Sequence, residues 1–284
     1  MWIAVLSFVG GLVLLLAGAR WLVEGAARVG ERLGVPPTIV GMVIVGFGTS
    51  LPELFVSVSA AVQGSSAIAI TNVIGSNIGN IGLLLGLGAL AAPLTVSKGI
   101  VTREIPMLIL ASVAFLVLSL DEFFDVGPDR LSRSDGIVLL LFFSVFVYYT
   151  VRTAIRETKT DQFAQEAQTQ APALSQTSLT RDVIETGLGL AGVGVGAHLM
   201  VSGAVDIAGS LGVPEAVVGL TVVSLGTGLP ELASTVGAAR SGPHVLAVGG
   251  GVGSNIVITL LVAGPSAAVT PGVLPAGGAR DVGV

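Results

Sequence analysis

One segment of this chain is written twice. LGVPPTIVGMVIVGFGTSLPEL, ending at Leu54, aligns without gaps with LGVPEAVVGLTVVSLGTGLPEL, ending at Leu232, and the same offset of 178 residues lays Gly75-Ser-Asn-Ile on Gly253-Ser-Asn-Ile. Such a repeat means that one supersecondary unit is used twice, so the fold must accommodate two related copies. The copies are embedded in apolar sequence: 52% of the 284 residues are hydrophobic and only 11% are charged, a membrane composition. Apolar runs that supply the ~20 helical residues needed to cross a ~30 Å hydrocarbon core recur along the whole length.

The hydropathy pattern predicts spans at 2–19, 35–61, 67–91, 102–120, 135–151, 183–208, 213–239 and 244–264, eight in all. The first run has no basic segment before it and no small-residue cleavage site after it, so it reads as a retained span. The copies open at spans two and seven. That odd separation threads the second copy upside down relative to the first, and the expected architecture is an all-α membrane protein built on an inverted repeat. The expected division is 1–151 for the first repeat with five spans, 152–181 for a flexible cytoplasmic connector rich in Gln, Thr and Ala, and 182–284 for the second repeat with three. Residues 272–284 line up with the loop leading into span four, so the last two spans of the second copy are expected to be missing.

Ten basic residues (Arg20, Arg28, Arg32, Lys98, Arg103, Arg152, Arg156, Lys159, Arg181 and Arg240) fall in alternate loops against Arg130, Arg133 and Arg280 opposite. The excess predicts an N-terminus outside a multi-pass protein of the cytoplasmic membrane. With no cysteine there is no disulfide framework or thiol nucleophile. Basic residues are too scattered for a nucleic-acid surface, and no nucleophile–base constellation suggests an enzyme. Membrane lipid and transported cations are the expected partners, with no protein partner and no organic cofactor.

The chemistry lies in the repeat. Pro52, inside span two, lacks an N–H and its ring clashes with the carbonyl of Gly48, so the helix is expected to open there. Carbonyls freed at membrane depth must face protein, water or an ion. Glu53 stands beside the break. A carboxylate at the bilayer centre costs about 2.5–3.5 kcal/mol on insertion scales, which calls for a compensating cation or proton. Gly226-Thr-Gly-Leu-Pro-Glu231 repeats the arrangement from the other face. Two carboxylates and two opened backbones meeting near the midplane make an oxygen cage suited to Ca²⁺, which takes about 6–8 oxygens, whereas zinc wants His or Cys. Ser76, Asn77 and Asn80 on span three and Ser254 and Asn255 on span eight are placed to complete the shell. His198 and His244 belong to no such motif and read as interfacial or packing residues. Asp206, Glu24 and Arg28, near predicted span ends, read as interfacial, and Asp121, Glu122, Asp125 and Asp129 as a solvated outer loop.

At these motifs the sequence resembles the cation/calcium exchanger superfamily, specifically the prokaryotic sodium/calcium exchangers, over nearly the whole chain. The resemblance implies a ten-helix exchanger fold of two inverted five-helix halves, in which Glu53 and Glu231 bind Ca²⁺ alternately with Na⁺. It further implies that the backbone carbonyls of Thr49 and Thr227 join them, and that Ser50, Ser76, Asn80, Ser254 and the Thr49 hydroxyl serve chiefly Na⁺. Two positions depart from the family pattern: Gly228 stands where Ser is usual, and Ile258 stands opposite Asn80 where a polar residue is usual. Each removes an oxygen from the second half.

Na⁺/Ca²⁺ antiport by alternating access is the first functional reading. A pair of buried acids can instead be neutralised by protons, so H⁺/Ca²⁺ exchange is the second. A non-transporting paralogue that binds cations or serves a structural role is the alternative from another class.

Overall fold

The computed structural model describes residues 1–35, 39–94, 96–121, 123–124, 129–157, 178–241 and 244–273, and these are almost wholly helical. Among the described residues, six helices are long and apolar enough to cross a membrane, and one bent pair makes a seventh. In chain order the helices are α1 (Trp2–Arg32), α2 (Gly46–Gly48), α3 (Leu51–Val62), α4 (Ser66–Gly79), α5 (Leu85–Ala91), α6 (Ile105–Ser119) and α7 (Arg133–Glu157). They continue with α8 (Leu179–Leu211), α9 (Glu215–Val218), α10 (Ser224–Thr227), α11 (Leu229–Ser241), α12 (His244–Val257) and α13 (Ala263–Val269). A two-residue strand β1 (Arg130–Leu131) pairs antiparallel with β2 (Gly272–Val273) and ties the start of α7 to the end of α13.

Polarity is arranged with the apolar side chains outward. Large apolar residues such as Ile3, Leu6, Ile109, Leu110, Val183 and Ile184 are exposed, while Ser50, Glu53, Asn72, Thr227, Glu231 and Asn255 are buried. That is the distribution of a bundle solvated by lipid, where apolar surface need not be hidden and polar groups must find partners within.

The longest packing surface joins α1 to α8, which run antiparallel over ~46 Å, the length of a 31-residue helix. Glycines at seven-residue spacing make it possible: Gly11, Gly18 and Gly25 on α1, and Gly189, Gly196 and Gly203 on α8. A Cβ on Gly18 would lie 2.6 Å from the Val193 nitrogen, and one on Gly196 would lie 2.4 Å from the Leu15 nitrogen, so the backbones touch where a side chain would stand. Such close approach gives dispersion contact that lipid cannot supply. The two sets of glycines are themselves related by the 178-residue offset, and the Gly18–Val193 contact maps onto the Gly196–Leu15 contact.

Several span boundaries differ from those read in the sequence: α7 runs to Glu157 rather than 151, the last helix to Val269 rather than 264, and two differences add charged turns. The first helix does not end at Ala19 but continues to Arg32, and the sixth predicted span starts at Leu179 rather than 183. The added turns are charged, and most of their charges are paired in place. Arg20 Nε donates to Glu24 Oε1 at 2.7 Å, Arg28 Nε to Asp182 Oδ1 at 2.8 Å, and Arg32 Nε to Asp182 Oδ2 at 2.7 Å, with Arg28 also on Glu185. Asp182 is 0% exposed and Arg28 8%, so Arg28 is a member of a buried ion pair in the last turns of α1. Breaking such a pair typically costs about 3–5 kcal/mol. Asp206 and His198 are exposed, His198 well inside α8 rather than near its end.

Of the predicted connector 152–181, residues 158–177 lie outside the described residues, and its flanks belong to α7 and α8. Glu122 and Asp125 of the acidic loop lie outside them as well, while Asp121 sits 3.6 Å from Arg130.

Candidate ion-binding site

Both Pro-Glu motifs interrupt a helix. The first break falls at Thr49 and Ser50, between α2 and α3, and the second at Gly228, between α10 and α11. Ser50 (φ −86°, ψ 6°) and Gly228 (φ −76°, ψ 2°) have nearly the same backbone conformation. Pro52 and Pro230 then fall in the first turn of the new helix, where a missing N–H costs nothing. The helix opens beside proline, as the sequence predicts, and proline starts the following half. Across the second break the two halves are bent by 45°.

Each acid occupies the first turn of its half-helix, where the unpaired N–H groups and the positive end of the dipole face a carboxylate. Glu53 is 0% exposed and Glu231 4%. A dipole contribution of about 0.3–2 kcal/mol offsets only part of the cost of holding a carboxylate there, so the pair still calls for a counter-charge.

The structure joins the two copies at this level. Ser50 Oγ of the first donates to Glu231 Oε1 of the second at 3.3 Å. In the other direction Thr227 Oγ1 donates to Asn72 Oδ1 at 3.3 Å, and Asn72 Nδ2 donates to Ser57 Oγ at 2.9 Å and to the Glu53 carbonyl at 3.4 Å. The Thr49 hydroxyl, half-buried, bonds the Gly46 carbonyl at 3.2 Å. α4, which carries Ser76, packs on α10, and α12, which carries Ser254, packs on α2. Asn80, Ser76 and Ser254 are all buried.

Several buried polar atoms here have no hydrogen-bond partner among the described residues: both carboxylate oxygens of Glu53, Glu231 Oε2, Ser76 Oγ and Asn80 Nδ2. Buried polar atoms left unpaired cost about 1–3 kcal/mol each, so each of these calls for a partner that the described residues do not supply. The donor set of carboxylates, hydroxyls and amide oxygens suits alkali and alkaline-earth ions. The asymmetry noted in the sequence has a structural consequence. Ser50 supplies a hydroxyl to Glu231, but its counterpart Gly228 has none to give Glu53. The Gly228 backbone is ordinary, but a Cβ there would lie 3.2 Å from the Ser224 carbonyl oxygen, so a serine would need a small backbone adjustment. Ile258 is fully buried in an apolar cluster, and the neighbouring Thr259 accepts from Asn77 Nδ2 at 3.0 Å.

Sequence reasoning missed Asn72 and Ser57. Ser57 had a signal, since Thr235 stands at the same offset, one turn beyond the second acid. Asn72 had none, because its counterpart is Gly250. π turns also frame the site: Val40–Val45 and Gly219–Val223 precede the breaks, and Asn80–Leu84 and Ile258–Val262 follow α4 and α12 at the repeat offset. Single π turns recur at functional sites.

Comparison with known proteins agrees with this chemistry. The family model described as sodium/calcium exchanger protein matches residues 3–152 and 184–282. The inner membrane protein YrbG of Escherichia coli is 34% identical over 287 residues, covering 100% of this chain and 86% of that protein. The sodium/calcium exchanger MaX1 of Methanosarcina acetivorans is 29% identical, covering 92% of this chain and 81% of its own. A structure of the sodium-calcium exchanger NCX_Mj soaked with Na⁺ and Sr²⁺ superimposes with a TM-score of 0.60 at 30% identity, covering 99% of this chain and 86% of that one.

Proposed function

The chain belongs to the sodium/calcium exchanger protein family, and from that premise we propose that it is a secondary antiporter exchanging Ca²⁺ for Na⁺ at a site shared by Glu53 and Glu231. The observation that supports the proposal is the cross-copy hydrogen bond from Ser50 to Glu231, together with carboxylate oxygens of both acids that have no partner among the described residues. Thr49 and Thr227 through their carbonyls, and Ser50, Ser76, Asn80 and Ser254 through their side chains, are the proposed further ligands. One cage that holds either Ca²⁺ or Na⁺, and reorients only when occupied, couples the two fluxes without any nucleotide.

The finer architecture is proposed with it: two inverted halves, with the N-terminus outside the cytoplasmic membrane. The glycine contacts of α1 and α8, which exchange under the repeat offset, support the inversion, since a surface that meets its own copy in this way is related to it by a two-fold. The excess of basic residues on one side supports the orientation.

A second reading, proton-coupled Ca²⁺ exchange, is favoured by one observation. Glu53 lacks the hydroxyl that Gly228 would supply if it were serine, and an oxygen-poor cage holds a small cation less well than it holds a proton. The deciding experiment is ⁴⁵Ca²⁺ uptake into proteoliposomes under an outward Na⁺ gradient, repeated under an outward H⁺ gradient without sodium. Sodium-driven uptake is expected. Uptake with protons alone would move the coupling to H⁺, and none in either arm would sink antiport by this chain.

A further inference from the structure

The repeat creates two equivalent seams, each between a broken helix and the Gly-Ser-Asn helix of the other copy, and they are not equally closed. At one, α4 is pressed on the second broken helix: a Cβ on Gly75 would lie 2.3 Å from the Leu220 carbonyl oxygen and 2.6 Å from Ser224 Oγ. At the repeat offset Gly253 replaces Gly75 and Gly46 replaces Ser224. There a Cβ on Gly253 would meet nothing within 4 Å. Gly46, Gly253 and the proposed ligand Ser254 instead line a cavity of about 80 Å³, room for several waters.

The wall of this cavity carries a third buried acid. Glu104 is 7% exposed, and Arg103 Nη2 lies 3.4 Å from its Oε1. It is the last residue of the π turn Ile100–Glu104, whose position at the cavity accords with the occurrence of such turns at functional sites. The remaining lining is largely apolar, so a carboxylate there is a strong local attractor in a low-dielectric channel. The end of α7 and the starts of α6 and α12 line it, the ends that the basic residues assign to the cytoplasm.

We propose that this cavity is the access path by which cations reach the site from one membrane face, and that Glu104 draws them through it, with Arg103 as one counter-charge that an incoming cation displaces. The inference rests on the antiport reading and deepens it. The structure is then open to one face at Gly46 and Gly253 and closed to the other at Gly75 and Ser224, and the unequal seams are the two states of one gate.

The test uses the chain's lack of cysteine, which makes Thr150→Cys, on the cavity wall, a single labelling site. Everted and right-side-out membrane vesicles are treated with impermeant cationic and anionic methanethiosulfonates. Labelling from one face only is expected, with the cationic reagent roughly tenfold faster. Glu104→Gln is expected to abolish or reverse that preference, and Glu104→Asp, which keeps the charge, to retain it. Labelling from both faces or from neither, or a preference that Glu104→Gln leaves unchanged, would overturn the proposal. Labelling needs no turnover, so failure of the antiport reading, seen as absent ⁴⁵Ca²⁺ uptake by the unaltered chain, is distinguished from failure of the path.

Discussion

Glu53→Gln and Glu231→Gln, made separately, are each expected to reduce Ca²⁺ exchange by roughly 100-fold or more, the equivalent of about 3 kcal/mol of lost cation affinity. Gln keeps the shape and one oxygen but removes the charge, and neither acid has a substitute nearby. Among the described residues there is no group of three His, Cys, Asp or Glu that would hold a cation without them. Each buried acid is now uncompensated within the protein, so neutralising it should leave the thermal midpoint unchanged or raised. Loss of transport with retained stability therefore separates loss of a ligand from loss of fold. Wild-type exchange in either variant would mean that the two acids do not share a site.

Gly18→Leu and Gly189→Leu are expected to lower the thermal midpoint by roughly 6–12 °C. A Cβ at these positions would lie 2.6 Å and 2.4 Å from backbone nitrogens of the facing helix. A backbone partner cannot rotate aside as a side chain does, so α1 and α8 must separate along the seam. Overpacking costs about 1–3 kcal/mol in cores that adjust, and this one adjusts poorly, so ~3 kcal/mol at about 2–4 °C per kcal/mol sets the expected shift. Gly10→Leu and Gly194→Leu are the controls, because a Cβ on either meets nothing within 4 Å. Midpoints that fall equally in both pairs, measured on detergent-solubilised protein, would contradict the glycine seam.

What the sequence revealed and what it hid follow from the physics of each element. The Pro-Glu breaks were legible because proline in a span acts locally: its missing N–H and its ring dictate an interruption whatever packs nearby. The candidate ligands Ser76 and Ser254 stood out through repetition, which turns an isolated polar residue into a pattern, whereas Ser50, whose counterpart is Gly228, entered only through the family resemblance. Asn72 was not, since it acts alone between Thr227, Ser57 and Glu53. The ends of α1 and α8 were misplaced because charges normally end a span, and the pairing of Arg28 and Arg32 with Asp182 lies 150 or more residues away in the chain. The seven-residue glycine spacing was present in the sequence too, but among forty glycines it becomes a seam only once α1 and α8 are known to face each other. Glu104 was hidden for a related reason, as a single acid beside an arginine reads as a solvated pair until the cavity behind it is seen.

The asymmetry between the halves ties these features together. Glu231 receives the Ser50 hydroxyl while Glu53 receives no counterpart from Gly228, and the seam at Gly75 is closed while that at Gly253 is open. In the proposed reading, two copies of one motif make a single site whose two sides differ in ligand supply and in access.

The most direct test of the shared site is equilibrium binding of ⁴⁵Ca²⁺ to the purified protein while Na⁺ is raised. The account predicts a single Ca²⁺ per chain, displaced competitively by Na⁺ and lost in both Glu53→Gln and Glu231→Gln. Ca²⁺ that stays bound at saturating Na⁺, or that binds with unchanged affinity in either variant, would contradict it.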